Sequence, residues 1–203
     1  MRREENYQEF LRLKQDADYL DVTYDEKSGG MSAVHRGHKF SKKDGAFGGR
    51  QGDYELSVLE VLRGCGHRVV LGEETNTPGV KSCDGFLDDF PLEIKAIEGQ
   101  GIWAVSTKLL YAEKQHAQCV ALYFPEEELY SEKRVSDGIG KYMANPMAPK
   151  EMKINKILAI SRNKLLSVWD KKATPIEGWS IPEGFRRENG ANSYTLSPSD
   201  AKI

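Results

Sequence analysis

The sequence predicts an α/β fold, a mixed central β-sheet of about four strands flanked by helices, and three patterns along the chain carry that prediction. Leu56, Leu59 and Leu62, supported by Val58 and Val61, recur at helical spacing and stop at Gly64, which can take the left-handed cap. Strand-like runs follow at His67–Leu71, Cys83–Leu87 and Leu92–Ile97. Val105–Gln118 then returns to helical spacing and leads into the unbroken apolar run Cys119–Phe124, the pattern of a strand buried on both faces. The order is α, β, β, β, α, β. A strand, crossover helix and strand normally returns parallel within one sheet, so the sheet is expected to be mixed, with helices packed on it.

Taken from the amino terminus, Tyr7, Phe10, Leu11 and Lys14 mark an amphipathic helix over about 4–16, read as an arm outside the core. Between Ser28 and Gly52 the chain turns glycine-rich and basic, with His35, Arg36, His38, Lys39, Lys42, Lys43 and Arg50. This reads as a mobile loop, either a solvated linker or a phosphate-touching leader in which Arg36, Lys39, Lys42 and Lys43 are candidate nucleic-acid contacts. His35 and His38 have metal-ligand spacing, but Gly37 and the surrounding charges indicate a loop rather than a zinc-binding helix.

The core helix opens with Glu55, and Asp88-Asp89 supplies the turn of the hairpin. Past Pro125 the acidic run Glu126–Glu128 leads into a helix that carries Leu129 and is interrupted at Asp137–Gly140. Ile154, Ile157, Leu158, Leu165 and Val168 mark a further helix. Its other faces present Lys150, Lys153, Lys156, Arg162 and Lys164, either as a solvated surface or along a nucleic-acid backbone, with Lys153 and Lys156 as the candidate contacts. From Thr174 onward Pro, Gly, Asn and Ser dominate a tail. Three segments result: an amino-terminal helix and basic leader over 1–50, a core over 51–125, and a helical carboxy-terminal extension with its tail over 126–203.

A chain of 203 residues suffices for one good-sized domain with extensions. Its net charge of −2 gives no overall basic signature, so any nucleic-acid surface must be local. No apolar run is long enough to span a bilayer, and the first residues are polar, so a soluble cytoplasmic protein is expected. Cys65, Cys83 and Cys119 are odd in number and lack Cys-x-x-Cys spacing, which argues for reduced thiols and against a disulfide framework or structural zinc.

The run Asp84–Lys95 carries the chemistry. Side chains alternate along a strand, so Glu93 and Lys95 share one face while Leu92, Ile94 and Ala96 take the other. The Asp88-Asp89 turn folds Asp84 back beside Glu93, and two carboxylates converge. With the Ile94 backbone carbonyl, they form an oxygen donor set for Mg²⁺ or Mn²⁺, and Lys95 stands next to it. The same spacing also suits an exposed charge pair on a sheet surface, which contributes little.

Glu55 on the first helix, Asp84 on the second strand, Glu93-Ile94-Lys95 on the third and Gln115 on the next helix together resemble the PD-(D/E)XK nuclease superfamily. Cys83 stands where the superfamily's name has proline. The stretch Glu55–Phe124 most resembles the nuclease domain at the carboxy-terminal end of contact-dependent growth inhibition toxins, several of which cleave tRNA. Gly29–His38 resembles a leader found before such domains in phage head-morphogenesis polypeptides. The resemblance implies a restriction-endonuclease-like αβββαβ core and a metal-dependent endonuclease acting on RNA or DNA. It implies Asp84 and Glu93 as metal ligands, Lys95 as the catalytic lysine, Glu55 as a helix-borne acid near the metal, and Gln115 as a helix residue facing the site. A toxin of this kind would be held by a cognate immunity protein. The alternative is a catalytically idle nuclease fold that serves as a binding or assembly module of a phage or mobile-element protein.

Overall fold

The computed structural model describes residues 2–40, 53–73, 83–149, 153–162, 164–171, 185–187 and 194–196. Four helices, α1 (Arg2–Lys14), α2 (Asp53–Gly64), α3 (Ala104–Lys114) and α4 (Glu132–Met143), pack on one mixed sheet. Its first eight strands lie side by side in chain order: β1 (Tyr19–Tyr24), β2 (Met31–His35), β3 (Arg68–Leu71), β4 (Gly85–Leu87), β5 (Phe90–Ala96), β6 (Cys119–Tyr123), β7 (Lys156–Ser161) and β8 (Lys164–Asp170). Two short strands, β9 (Phe185–Arg187) and β10 (Tyr194–Leu196), continue the β8 edge, with β10 next to β8.

The α/β class and mixed sheet agree with expectation, and α2, β3, β4, β5, α3 and β6 follow in the expected order. The sheet is far wider than four strands, because both flanking segments add to it. At one edge β1 and β2 pair antiparallel and β2 runs parallel to β3. The expected loop around residue 31 is therefore a strand, with Met31, Ser32, Ala33 and Val34 all buried. Nor is α1 a detached arm. Its Leu13 is buried with Met31 and Ala33, and the Asn6 amide donates to the carbonyls of Gly29 (2.9 Å) and Gly66 (3.2 Å).

The second correction is larger. The expected basic helix around Ile154–Val168 is an antiparallel pair of strands, β7 and β8, turning at Arg162 with its φ of 37°. Ile157–Ile160 is an unbroken apolar run because both faces of β7 are covered, and such a run mimics helical spacing over a short window. Beyond β6, a 3₁₀ turn (Glu127–Leu129) precedes α4, whose cap Ser131 accepts from the Arg134 amide at 3.1 Å. That helix runs through Gly138 and Gly140 without interruption.

The faces separate cleanly. Leu92 and Ile94 of β5 pack with Val58, Leu59 and Leu62 of α2, while Ile97 packs with Val105 and Leu109 of α3 and Ile139 of α4. By strand alternation, Glu93 and Lys95 lie on the face that α3 covers. At Gly138 a Cβ would stand 2.5 Å from the Cβ of Val105, so glycine is what lets α4 lie close against α3. Among the described residues no helix is long and apolar enough to cross a membrane.

Candidate active site

The site forms where β4 and β5 meet. Asp88 and Asp89 both take positive φ, 48° and 72°, which is the type I′ geometry that matches strand twist in a two-residue hairpin. Aspartate rather than glycine holds this turn because Asp88 is fixed from outside. Its carboxylate lies 2.5 Å from Nδ1 of the buried His67 and accepts from the Arg68 amide at 2.9 Å. Leu87 pairs with Phe90 and Gly85 with Leu92, which places Asp84 opposite Glu93. Gly85 permits this: a Cβ there would meet the Val70 carbonyl oxygen at 2.1 Å, so only glycine lets β4 lie against β3.

The two acids interlock through the backbone. Asp84 Oδ2 accepts from the Ile94 amide at 2.6 Å, and Glu93 Oε2 accepts from the Asp84 amide at 3.2 Å. Lys95 Nζ donates to Glu93 Oε1. Glu93 is 0% exposed, which excludes the exposed surface pair that the same spacing allows. Burial pushes the Asp84 carboxyl up to about 6, against the lowering influence of Lys95 and the Ile94 amide. Burial and then the Asp84 charge push Glu93 up to about 7, again against Lys95. The N–H and C=O of one strand residue point to the same edge, so the Ile94 carbonyl faces the Asp84 side, where β4 has ended.

Two further groups enter from other elements. Glu55, 2% exposed in the first turn of α2, raises the Asp84 pKa through its charge. His38 lies 3.3 Å through Nε2 from Glu55 Oε2 and 3.1 Å through Nδ1 from the Gly72 carbonyl oxygen. Burial works against its charge, yet the hydrogen bond to Glu55 and the charges of Glu55 and Asp84 leave its pKa raised. The Gly72 amide in turn donates to the Asp84 carbonyl at 2.9 Å, so His38, Gly72 and Asp84 are linked. In the sequence His38 reads as one basic residue of the glycine-rich loop and as half of a histidine pair, not as a partner of Glu55. Its place next to Glu55 depends on β2 lying next to β3.

The remaining expected residues scatter. Gln115 caps the carboxy-terminal end of α3, the end away from the Trp103 loop that leaves β5 past Lys95, and no described hydrogen bond joins its side chain to the acid pair. Arg36 is exposed and donates to the Ala17 carbonyl, and Lys39 is also exposed. Lys153 is exposed, with Nζ 3.0 Å from His116 Nδ1. Lys156 is 6% exposed on β7, so its side chain is not presented to a ligand at the surface, and burial lowers its pKa. Lys42, Lys43, Arg50 and Lys150 lie outside the described residues.

Among the described residues no three His, Cys, Asp or Glu side chains form a ready-made metal cluster. The donor set is two carboxylates and one main-chain carbonyl. This fits Mg²⁺ or Mn²⁺, since Mg²⁺ binds through one or two carboxylates and retains several waters. No protein-family model, curated protein or solved structure matches this chain.

Proposed function

We propose that the chain is a metal-dependent endonuclease that hydrolyses phosphodiester bonds of RNA or DNA through Asp84, Glu93 and Lys95. One observation carries the reading: two acids are held together in burial, with pKa values raised to about 6 and about 7, and a lysine is fixed against one of them. Among the described residues Glu55, Asp84, Glu93, Lys95 and His38 act on one another through charge. Perturbed acids around one point are the usual mark of a working site.

In this reading Asp84, Glu93 and the Ile94 carbonyl hold Mg²⁺, which when bound supplies Lewis-acid activation and charge neutralisation at the phosphate. A water oxygen attacks phosphorus and gives up a proton to solvent, the bond to the leaving sugar oxygen breaks, and that oxygen takes up a proton from solvent, so the protons balance. Lys95 places positive charge where the transition state gathers negative charge, a preorganised contribution worth about 10²–10³ in rate at comparable sites. Its salt bridge to Glu93 fixes the ammonium before substrate arrives. His38 holds Glu55, and the Gly72 link fixes the Asp84 backbone, so both are positioning residues. The order α2, β3, β4, β5, α3, β6, with Glu55 on α2 and Glu93 and Lys95 on β5, is compatible with the PD-(D/E)XK resemblance, from which Gln115 departs. A toxin or mobile-element setting, with an immunity partner, belongs to that resemblance.

The test is cleavage of supercoiled plasmid and of tRNA with Mg²⁺ or Mn²⁺. Activity should vanish on chelation and fall at least about a hundredfold in Lys95→Ala. Full activity in that variant sinks the assignment. If Mn²⁺ fails to bind while nucleic acid or a protein partner is retained, the idle binding module is the better reading.

A further inference from the structure

The loop that leaves β5 just past Lys95 carries the least expected surface on this side of the sheet. Ile102 is 67% and Trp103 56% exposed, although a tryptophan normally buries its large apolar surface. The exposure is supported by the structure around it. From α4, Arg134 donates to the Gly99 and Leu129 carbonyls, and Lys141 donates to the Ile102 carbonyl at 3.1 Å. The Lys141 ammonium also stands 5.1 Å from the Trp103 ring centroid. Both cations hold the loop, and the Lys141 ammonium lies over the exposed indole. Asp137, on the same helix, is bound by Lys133 at 2.6 Å and also feels the Lys141 charge.

Placement gives this loop its meaning. Glu93, Lys95 and Ile97 share the α3 face, and the loop 98–103 starts from the Lys95 end of β5. An exposed aromatic ring held by a neighbouring ammonium, on the loop that follows the Lys95 end of β5, offers what an unpaired nucleotide needs: a π-face for its base and positive charge for its phosphate. A base inside a continuous duplex already has neighbours on both faces and cannot stack there.

We propose that Trp103, backed by Lys141 and Arg134, is a stacking platform for an unpaired base next to the scissile phosphate, so that the site takes single-stranded or looped nucleic acid in preference to continuous duplex. This rests on the nuclease reading for its link to catalysis, but base stacking can be measured without cleavage.

The probe is a fluorescein-labelled 12-nucleotide single strand, compared with a blunt duplex of the same sequence. Binding is followed by anisotropy in the full chain carrying Lys95→Ala, with Ca²⁺ present. The single strand should bind more tightly than the duplex. Trp103→Ala should weaken single-strand binding about tenfold and leave duplex binding unchanged, and Trp103→Phe should recover most of the loss. Equal single-strand binding by the Lys95→Ala parent and its Trp103→Ala derivative, with both folded by circular dichroism, overturns the platform. So does tighter binding of the duplex, or a Trp103→Ala effect confined to association with a protein. If wild type cleaves nothing but the Trp103 effect persists, the nuclease reading fails and the platform stands. If cleavage is robust but Trp103→Ala changes neither binding nor single-strand preference, the reverse holds.

Discussion

The acid pair should make the metal-free protein lose stability as pH rises, and Glu93→Gln should remove much of that loss. Asp84 rises from an ordinary 3.8 to about 6 and Glu93 from 4.5 to about 7. In the unfolded chain both carboxyls lose their protons near pH 4, whereas in the folded chain they keep them until about 6 and 7. Between those limits the folded state binds more protons. Stability present at acid pH is therefore lost as pH rises through the folded values. At about 1.4 kcal/mol per pH unit, each acid costs on the order of 3 kcal/mol once ionised. For a chain of this size that is roughly 6–12 °C in melting temperature per acid. The raised His38 loses stability in the same direction, but it is present in both proteins, so the comparison isolates Glu93 and its interaction with Asp84.

The assay is thermal unfolding in chelator at pH 5, 6, 7 and 8 for wild type and Glu93→Gln. Wild type should fall more steeply between pH 5 and 8. Mn²⁺ at about a hundred times its Kd should restore about 2.7 kcal/mol in wild type and much less in the variant. Parallel pH curves, with equal Mn²⁺ effects, would refute the claim that burial and the Asp84 charge raise the Glu93 carboxyl to about 7.

Other parts of the fold make separate predictions. Tyr142→Phe removes the hydroxyl that donates at 2.6 Å to the buried Glu113 carboxylate, and should lower unfolding free energy in urea by about 1–3 kcal/mol; an unchanged midpoint counts against that bond. Gly138→Ala drives a methyl into Val105 and should destabilise by about 1–3 kcal/mol, most visibly as weaker hydrogen-exchange protection in α3 and α4. Protection equal to wild type would show that the two helices have slack. Lys156→Gln should leave nucleic-acid affinity and its salt dependence unchanged, because the side chain is buried on β7. A weaker, less salt-sensitive complex from a folded variant would put that lysine at the surface.

How far these features could be read from sequence varied with the range of the contacts involved. The acid–lysine hairpin was legible because it is local: alternation put Glu93 and Lys95 on one face, and an Asp-Asp turn two residues long set Asp84 against Glu93. The β7–β8 pair was misread because Ile154, Ile157, Leu158 and Leu165 satisfy helical spacing by coincidence. The continuous run Ile157–Ile160, two faces deep in apolar neighbours, was the signal that separates the two. Strand β1 is also legible, as the alternating Tyr19–Tyr24.

His38 had no such local signal. It reaches Glu55 only because β2 pairs in parallel with β3, a contact across sequence that residue spacing does not encode. The exposed Trp103 was equally silent, since exposure of an apolar residue is a property of the assembled surface. The width of the sheet belongs with these, because edge strands declare themselves through partners.

The proposed function rests on Asp84 and Glu93 as the acids that would hold a divalent ion for phosphodiester hydrolysis. The direct measurement is product formation from supercoiled DNA and total RNA at pH 8 with Mg²⁺, comparing wild type with Glu93→Gln. Wild type should give products from at least one substrate and lose them on chelation, while Glu93→Gln, which keeps its fold, should give none. Undiminished cleavage by Glu93→Gln, or cleavage by wild type that persists in chelator, would contradict the account.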